Sequence, residues 1–222
     1  MQNLPIVSYD KPICLVGGAR ISPRAFQAAL GHTTALIAVD SGADFLIAQR
    51  KIPDIVIGDL DSLSDTARAT FADRLRHIPE QSTTDFEKAL TRIDAPCLVA
   101  LGFTGGRIDH LLSVLNVMRR FPHRPVVLLD QDDASFMARA GDTLFHLEKG
   151  TRVSVMPVGQ AAGVSLEGVR WSFTDKTMTL DGFTSPSNAA LGGEIRLSTG
   201  APCLVTLPRA QLAVALQAAV HG

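Results

Sequence analysis

At 222 residues the chain has room for one large domain or two small ones, with a sizeable core in either case. Its 21 basic and 22 acidic residues leave a formal net charge of -1, with no long run of either sign, which removes the footprint expected of a nucleic-acid or anionic-membrane binder. No apolar stretch reaches the length of a spanning helix, and the opening Met-Gln-Asn-Leu-Pro lacks the basic-then-apolar layout of a secretory leader.

Cys14, Cys97 and Cys203 each lie alone in an apolar run, so reduced core thiols in a cytoplasmic protein are expected. Ile13-Cys14-Leu15-Val16 reads as a strand ending at Gly17-Gly18. Ser22 followed by Pro23 reads as N-cap and first position of a helix with Ala25, Phe26, Ala29 and Leu30 on its apolar face. Leu36-Ile37-Ala38-Val39 is a second strand, tipped by Asp40, and a helix through Phe45 and Leu46 follows. Ile55-Val56-Ile57 is a third, running into Gly58-Asp59-Leu60-Asp61-Ser62, and residues 65–75 read as helical.

Thr84 with Glu87 three residues on forms a capping box, which places Asp85 in the first turn of a helix. Residues 97–101 form a further strand, and Gly102-Phe103-Thr104-Gly105-Gly106 a glycine-rich turn. A helix follows whose Leu111, Leu112, Val114, Leu115 and Met118 are spaced for burial. Val126-Val127-Leu128-Leu129 is the fifth strand, tipped by Asp130. Strands alternating with helices predict an α/β domain with a parallel sheet flanked by helices over residues 1–130.

After Asp130 short alternating runs, such as Thr151 to Met156 and Met178-Thr179-Leu180, are separated by turn glycines. Residues 131–222 are therefore expected to form an all-β sandwich, with a terminal helix over the alanine-rich residues 211–220.

The chemistry starts from Asp59 and Asp61. In an extended segment residues i and i+2 point the same way, with Cα atoms roughly 6–7 Å apart at about 3.3 Å per residue. Two carboxylates so placed repel each other unless a cation lies between them, and a hard divalent ion suits them; caps for turns or helices are the plain alternative. Gly105-Gly106-Arg107 adds backbone amides and a guanidinium suited to phosphate oxygens. Lys88, one turn into its helix, is within reach of a phosphate or else an ordinary exposed lysine. Neither a P-loop nor a Gly-x-Gly-x-x-Gly fingerprint is present.

Val39-Asp40-Ser41-Gly42-Ala43, the Pro53 to Ser62 stretch, Thr84-Asp85-Phe86-Glu87-Lys88-Ala89-Leu90 and Thr104-Gly105-Gly106-Arg107-Ile108-Asp109-His110 resemble the motif series of thiamine pyrophosphokinases. Gly168-Val169-Arg170-Trp171 and Ser185-Pro186-Ser187-Asn188 resemble that family's thiamine-binding segments, so the likeness covers residues 13–208. It implies a homodimer with active sites between subunits, which transfers the pyrophosphoryl group of ATP to the hydroxyethyl oxygen of thiamine and releases AMP. Asp59, Asp61 and Asp85 match family acids that hold Mg²⁺ and, with Arg107, the reacting phosphates. Asp40, Lys88, Thr104, Arg107, Asp109 and His110 match the ATP side, and Trp171, Ser185, Ser187 and Asn188 the thiamine side. Trp171 offers a ring face for a thiazolium cation, or else packs in the sandwich core.

The chain departs from the pattern at Leu60, where phenylalanine is usual, at Ser82, where an acid is common, and at Pro186. Two rivals stand beside this reading. A haloacid-dehalogenase-type phosphatase would use Asp59 as nucleophile and Asp61 as its acid/base partner; a non-catalytic thiamine or nucleotide binder would keep the pocket without the chemistry.

Overall fold

The computed structural model describes residues 5–222, so the reading of the first four residues lies outside it. The chain forms two compact units, one through Val117 and one from Met118.

In the first unit, strand β1 (Val7–Ser8) precedes β2 (Ile13–Val16), helix α1 (Pro23–Leu30), β3 (Leu36–Val39), α2 (Gly42–Ala48), β4 (Ile55–Gly58) and α3 (Asp65–Thr70). A short 3₁₀ turn leads to β5 (Leu75–His77), α4 (Asp85–Arg92), β6 (Ile93–Asp94), β7 (Leu98–Leu101) and α5 (Ile108–Arg120), inside which the unit boundary falls. Strands β7, β2, β3, β4 and β5 lie side by side in that order, all parallel. β2, β4 and β7 are buried throughout, as parallel strands covered on both faces must be, and this is why they read as unbroken apolar runs. α1, α2 and α4 pack against these strands, and Phe26 and Phe45 meet edge to face at 5.0 Å between α1 and α2.

The order reverses between β2 and β7, and there the two backbones touch. A Cβ on Gly17 would lie 2.7 Å from the Gly102 carbonyl oxygen, and one on Gly102, at φ +75°, 2.4 Å from that of Gly17. Only glycine fits at either position. Ligands of open parallel sheets collect at the carboxyl edge beside such a reversal, which is the edge that carries Asp40 and Asp59.

The second unit holds β8 (Val126–Leu129), β9 (Asp133–Ala138), β10 (Gly141–Leu147), β11 (Arg152–Pro157), β12 (Ala161–Glu167), β13 (Phe173–Met178), β14 (Ser185–Ala189), β15 (Gly193–Thr199), β16 (Cys203–Pro208) and α6 (Leu212–His221). β8, β9, β16, β11 and β14 pair antiparallel in that order, and β10, β15, β12 and β13 form a second antiparallel sheet. Phe136 of one sheet meets Phe145 of the other at 6.3 Å, inside the sandwich. The apolar α6 packs on β8, β9, β10 and β16, and Arg139 donates to the Val220 carbonyl at 3.2 Å, so the tail beyond Pro208 is a structural closure of this unit. No helix among the described residues is long and apolar enough to cross a membrane, and all three cysteines are buried free thiols.

Several local expectations need correcting. The helix from Asp65 ends at Thr70, and residues 75–77 form β5 because Leu75 pairs with Val56 on the sheet edge; strand pairing overrides a weak helical preference. Ser22 precedes α1 with Pro23 at its first turn, but its side chain makes no capping bond. Met178 is the end of β13, and Thr179 starts a turn closed by the Gly182 N–H at 3.1 Å. The Asp130 carboxylate, at the tip of β8, accepts the N–H groups of Asp132 and Asp133, both at 2.9 Å, and builds the tight β8–β9 turn.

Candidate active site

The acid site of the first unit is built from two neighbouring strand ends and one helix start. β3 and β4 pair in register through Val39 and Ile57, and the Asp40 N–H extends the ladder by donating to the Ile57 carbonyl at 3.0 Å. Asp40 takes a left-handed conformation (φ 47°), tolerated by aspartate, which turns the chain sharply out of the strand. After β4 the Asp59-Leu60-Asp61 segment is likewise a turn and not the extended segment expected, with Leu60 at φ 64° and its side chain buried. The Asp61 N–H donates to Asp59 Oδ1 at 3.3 Å, and the Ser62 hydroxyl to Asp61 Oδ1 at 2.9 Å.

This turn brings Asp40, Asp59 and Asp61 together: one carboxylate oxygen of each lies within 4.8 Å of the others. Asp40 is 8% exposed, and its Oδ1 has no hydrogen-bond partner. Burial, then the nearby Asp85 charge, pushes its carboxyl above the usual carboxylate range. An orphaned, buried acceptor beside two further carboxylates is costly alone and fits a hard divalent cation with oxygen ligands.

α4 begins as its sequence predicts, with Thr84 Oγ1 accepting the Glu87 N–H at 3.3 Å. That start fixes Asp85 against the β4 turn, where its Oδ1 accepts the Asp59 N–H at 3.1 Å. Asp85 thus adjoins the group of three without belonging to it. Lys88 is not a surface lysine: its side chain is 1% exposed and its ammonium lies 2.9 Å from Asp59 Oδ2 and 3.0 Å from Asp85 Oδ1. Burial alone would lift the Asp59 carboxyl, but Lys88 and the bonds to Asp61 outweigh it and hold the group below its ordinary value. Burial likewise disfavours the Lys88 ammonium, and the two carboxylates overcome that and raise it.

The loop before α4 is organised by Glu80. It accepts from the Ser82 N–H at 3.0 Å, the Ser82 hydroxyl at 2.6 Å and the Thr83 hydroxyl, which hold its carboxyl down to about 2. Ser82, standing where an acid is common, here serves Glu80. The adjacent Gln81 amide donates to Asp59 Oδ2 at 3.3 Å.

On the glycine-rich turn Arg107 and Asp109 form a bidentate pair, at 3.1 and 2.6 Å, with both side chains well exposed. Thr104 is half-buried and His110 exposed. Among the described residues no hydrogen bond ties Thr104, Arg107, Asp109 or His110 to the acid group.

The remaining sequence candidates lie in the second unit. Trp171 is 57% exposed, so it is no core residue, and the Arg170 guanidinium lies over its ring at 4.9 Å. Asn188, 2% exposed, accepts the Trp171 N–H at 3.1 Å and donates to the Trp171 carbonyl at 2.8 Å. It also accepts the Ala189 N–H and donates to Ser185 Oγ at 3.4 Å, so its amide has no capacity left for a ligand. Ser187 is left-handed (φ 55°), and its N–H donates to Ser154 Oγ at 2.9 Å. Asn188 and Ser185 are thus the frame that presents Trp171.

Sequence reasoning missed the roles of Ser62, Glu80 and Gln81. Ser62 follows an acid and Glu80 precedes two hydroxyl residues, both weak signals of local bonding; nothing in the pattern marks Gln81.

Comparison with known proteins agrees with the motif series. The family model described as thiamin pyrophosphokinase, catalytic domain, matches residues 26–128, and that of its vitamin B1 binding domain residues 143–204. Thiamine pyrophosphokinase 3 of Oryza sativa subsp. japonica is 29% identical over 160 residues, 64% of this chain and 60% of its own length. Thiamine pyrophosphokinase 2 of the same plant is 25% identical over 215 residues, 88% of this chain and 76% of its own. Among solved structures, the thiamin pyrophosphokinase of Geobacillus thermodenitrificans superposes with a TM-score of 0.75 at 24% identity, covering 89% of this chain and 96% of that one. That of Candida albicans gives 0.76 at 13% identity, with 90% and 92% covered. At these identities the superpositions speak for the fold alone.

Proposed function

The chain belongs to the thiamin pyrophosphokinase family, and from that premise we propose that it is an ATP-dependent thiamine diphosphokinase. The observation that carries the reading is the group of Asp40, Asp59 and Asp61 at the carboxyl edge of the parallel sheet, inside the segment matched by the catalytic-domain model. Residues up to about 130 serve ATP and residues from 131 serve thiamine, in a cytoplasmic homodimer whose sites form between subunits.

The reaction is in-line attack of thiamine's hydroxyl oxygen on the β-phosphorus of ATP. A new O–Pβ bond forms, the bond from Pβ to the α,β-bridging oxygen breaks, AMP leaves with that electron pair, and the hydroxyl proton passes to solvent. Asp40, Asp59 and Asp61, with Asp85 beside them, would hold Mg²⁺, which would supply positive charge where negative charge builds on phosphate oxygens. Lys88 fixes Asp59, and Asp85 holds both the Lys88 ammonium and the Asp59 N–H, so the β4 turn is rigid before substrate arrives. Arg107, with Thr104, Asp109 and His110, is assigned to ATP, where a bidentate guanidinium matches phosphate geometry. Trp171 takes the thiazolium face, held by Asn188 and Ser185, with Ser187 in the same segment.

The phosphatase reading is not favoured. The Asp59 turn follows the third strand of the sheet instead of opening it. The test is to incubate the protein with Mg²⁺, ATP and thiamine and separate the products. AMP with thiamine diphosphate is expected; ADP with a monophosphate, or turnover without ATP, would reject the proposal.

A further inference from the structure

We infer that Lys88 is a positioning residue that limits Asp59 and Asp85 to one metal-binding oxygen each, so that the acid site takes a small octahedral cation such as Mg²⁺ or Mn²⁺ and discriminates against Ca²⁺. This rests on the reading above, which sets a divalent ion on this strand edge. Asp85 shares that edge with the group of three. A Cβ on Gly58 would stand 3.1 Å from Asp85 Oδ1 and 3.4 Å from the Asp40 Cβ, so the Asp85 carboxylate is counted with the others.

An ionised carboxylate has two oxygens and about four lone-pair sites between them. On Asp59, Oδ2 accepts from the Lys88 ammonium at 2.9 Å and from the Gln81 amide at 3.3 Å, which fills it. Oδ1 accepts the Asp61 N–H at 3.3 Å and is left with one lone pair for a cation. On Asp85, Oδ1 accepts from the same ammonium at 3.0 Å and from the Asp59 N–H at 3.1 Å, and it too is full. Each acid therefore has a single oxygen to offer, and neither can clasp an ion with both. Ca²⁺ gathers about 6–8 oxygens and draws carboxylates in with one or both of theirs, whereas Mg²⁺ demands octahedral geometry, keeps several waters and is content with single carboxylate oxygens. The Lys88 side chain is 1% exposed, so pushing it aside to free the filled oxygens would strand an unpaired charge in the interior. A larger ion cannot recruit them at small cost.

The experiment measures Mn²⁺ affinity of the nucleotide-free protein by electron paramagnetic resonance of the free ion, and Ca²⁺ affinity by competition against Mn²⁺. Wild type is expected to prefer Mn²⁺ by about tenfold or more. Lys88→Met, uncharged and of similar length, should narrow that preference by about tenfold or more, the size of an outer-shell effect on a metal site. Loss of the positive charge favours both ions alike, so the ratio isolates the freed oxygens. Equal affinities or a Ca²⁺ preference on wild type, no Mn²⁺ bound at all, or an unchanged ratio on a folded Lys88→Met would each overturn the inference. Should Lys88→Met fail to fold by circular dichroism, a crystal structure of wild type with Mn²⁺ decides. One oxygen of Asp59 and no more than one of Asp85 are expected on the ion; both oxygens of either, or none of Asp59, would overturn it. Neither ATP nor thiamine enters these assays. Absence of selectivity would leave pyrophosphoryl transfer standing, and failure to form AMP would leave the selectivity standing.

Discussion

The side-chain amide of Asn188 grips both backbone polar groups of Trp171, accepting its N–H at 3.1 Å and donating to its carbonyl at 2.8 Å. A buried asparagine that holds both backbone polar groups of one exposed tryptophan is a device for presenting an aromatic ring. Truncating the two residues should therefore have separable effects.

Trp171→Ala removes a half-exposed ring and should change stability by no more than about 0.5 kcal/mol, as surface substitutions do. It should raise KM for thiamine roughly 2- to 30-fold, the range that about 0.5–2 kcal/mol of cation–π contact implies. Asn188→Ala leaves part-buried backbone groups of Trp171 and Ala189 without their partner and opens a buried site, at about 1–3 kcal/mol, and should lower the melting temperature as well as raise KM for thiamine. Thermal denaturation with steady-state kinetics on both variants checks this; a stable Asn188→Ala with normal KM would contradict the framing role.

Asp40 offers a stability test of opposite sign. Its folded pKa lies above its unfolded one, so its ionised form opposes folding at pH above both values, and that opposition fades as pH falls through the folded pKa. Asp40→Asn keeps the size and the tolerance for a left-handed backbone while removing the charge. It should raise the metal-free melting temperature at pH 7 by a few °C, since about 1 kcal/mol is worth about 2–4 °C at this size, and abolish the further rise on adding Mg²⁺. Differential scanning calorimetry with and without Mg²⁺ reads both.

The Asp59–Lys88 pair sets pH limits. Asp59 has a depressed folded pKa, so its contribution is present above the ordinary carboxylate value of 3.8 and is lost as pH falls through the lower folded value. Lys88 has a raised folded pKa, so its contribution is present below 10.5 and is lost as pH rises through the higher folded value. Lys88→Met should cost roughly 3–5 kcal/mol at neutral pH, as removing one partner of a buried pair does. The variant's stability curve, from urea melts at several pH values, should lose the alkaline fall attributable to Lys88.

Asp61 is exposed, and its carboxylate accepts the Ser62 hydroxyl beside the Asp40 and Asp59 carboxylates, so its removal takes away a repelling charge and leaves the core untouched. Asp61→Ala should keep at least the wild-type melting temperature and lower kcat/KM by about 10²–10³-fold, the size expected for one charge-stabilising group. Activity near wild type would remove Asp61 from the metal set. Arg107→Ala, which breaks only an exposed pair with Asp109, should likewise leave the melting temperature unchanged while raising KM for ATP.

What the sequence by itself determined are features that local chemistry decides. Short apolar runs bounded by turn residues, such as Ile13–Val16 before Gly17-Gly18, read as strands covered on both faces, and Thr84 with Glu87 reads as a helix start, so the acid-tipped parallel sheet and the place of Asp85 were legible. The tertiary structure alone decided which carboxylates share a site. That Asp40 joins Asp59 and Asp61, while Asp85 turns to Lys88, depends on two left-handed residues, Asp40 and Leu60, that no hydrophobic period encodes. It also decided that Lys88 is buried and Trp171 exposed. A lysine on a helix is commonly a surface residue, and a lone tryptophan in a sandwich can pack in the core, and neither plain alternative holds here. For each the sequence left two readings open, and partners distant in sequence go with the outcome: Asp59 pairs with the buried Lys88 ammonium, and Asn188 holds the backbone of the exposed Trp171.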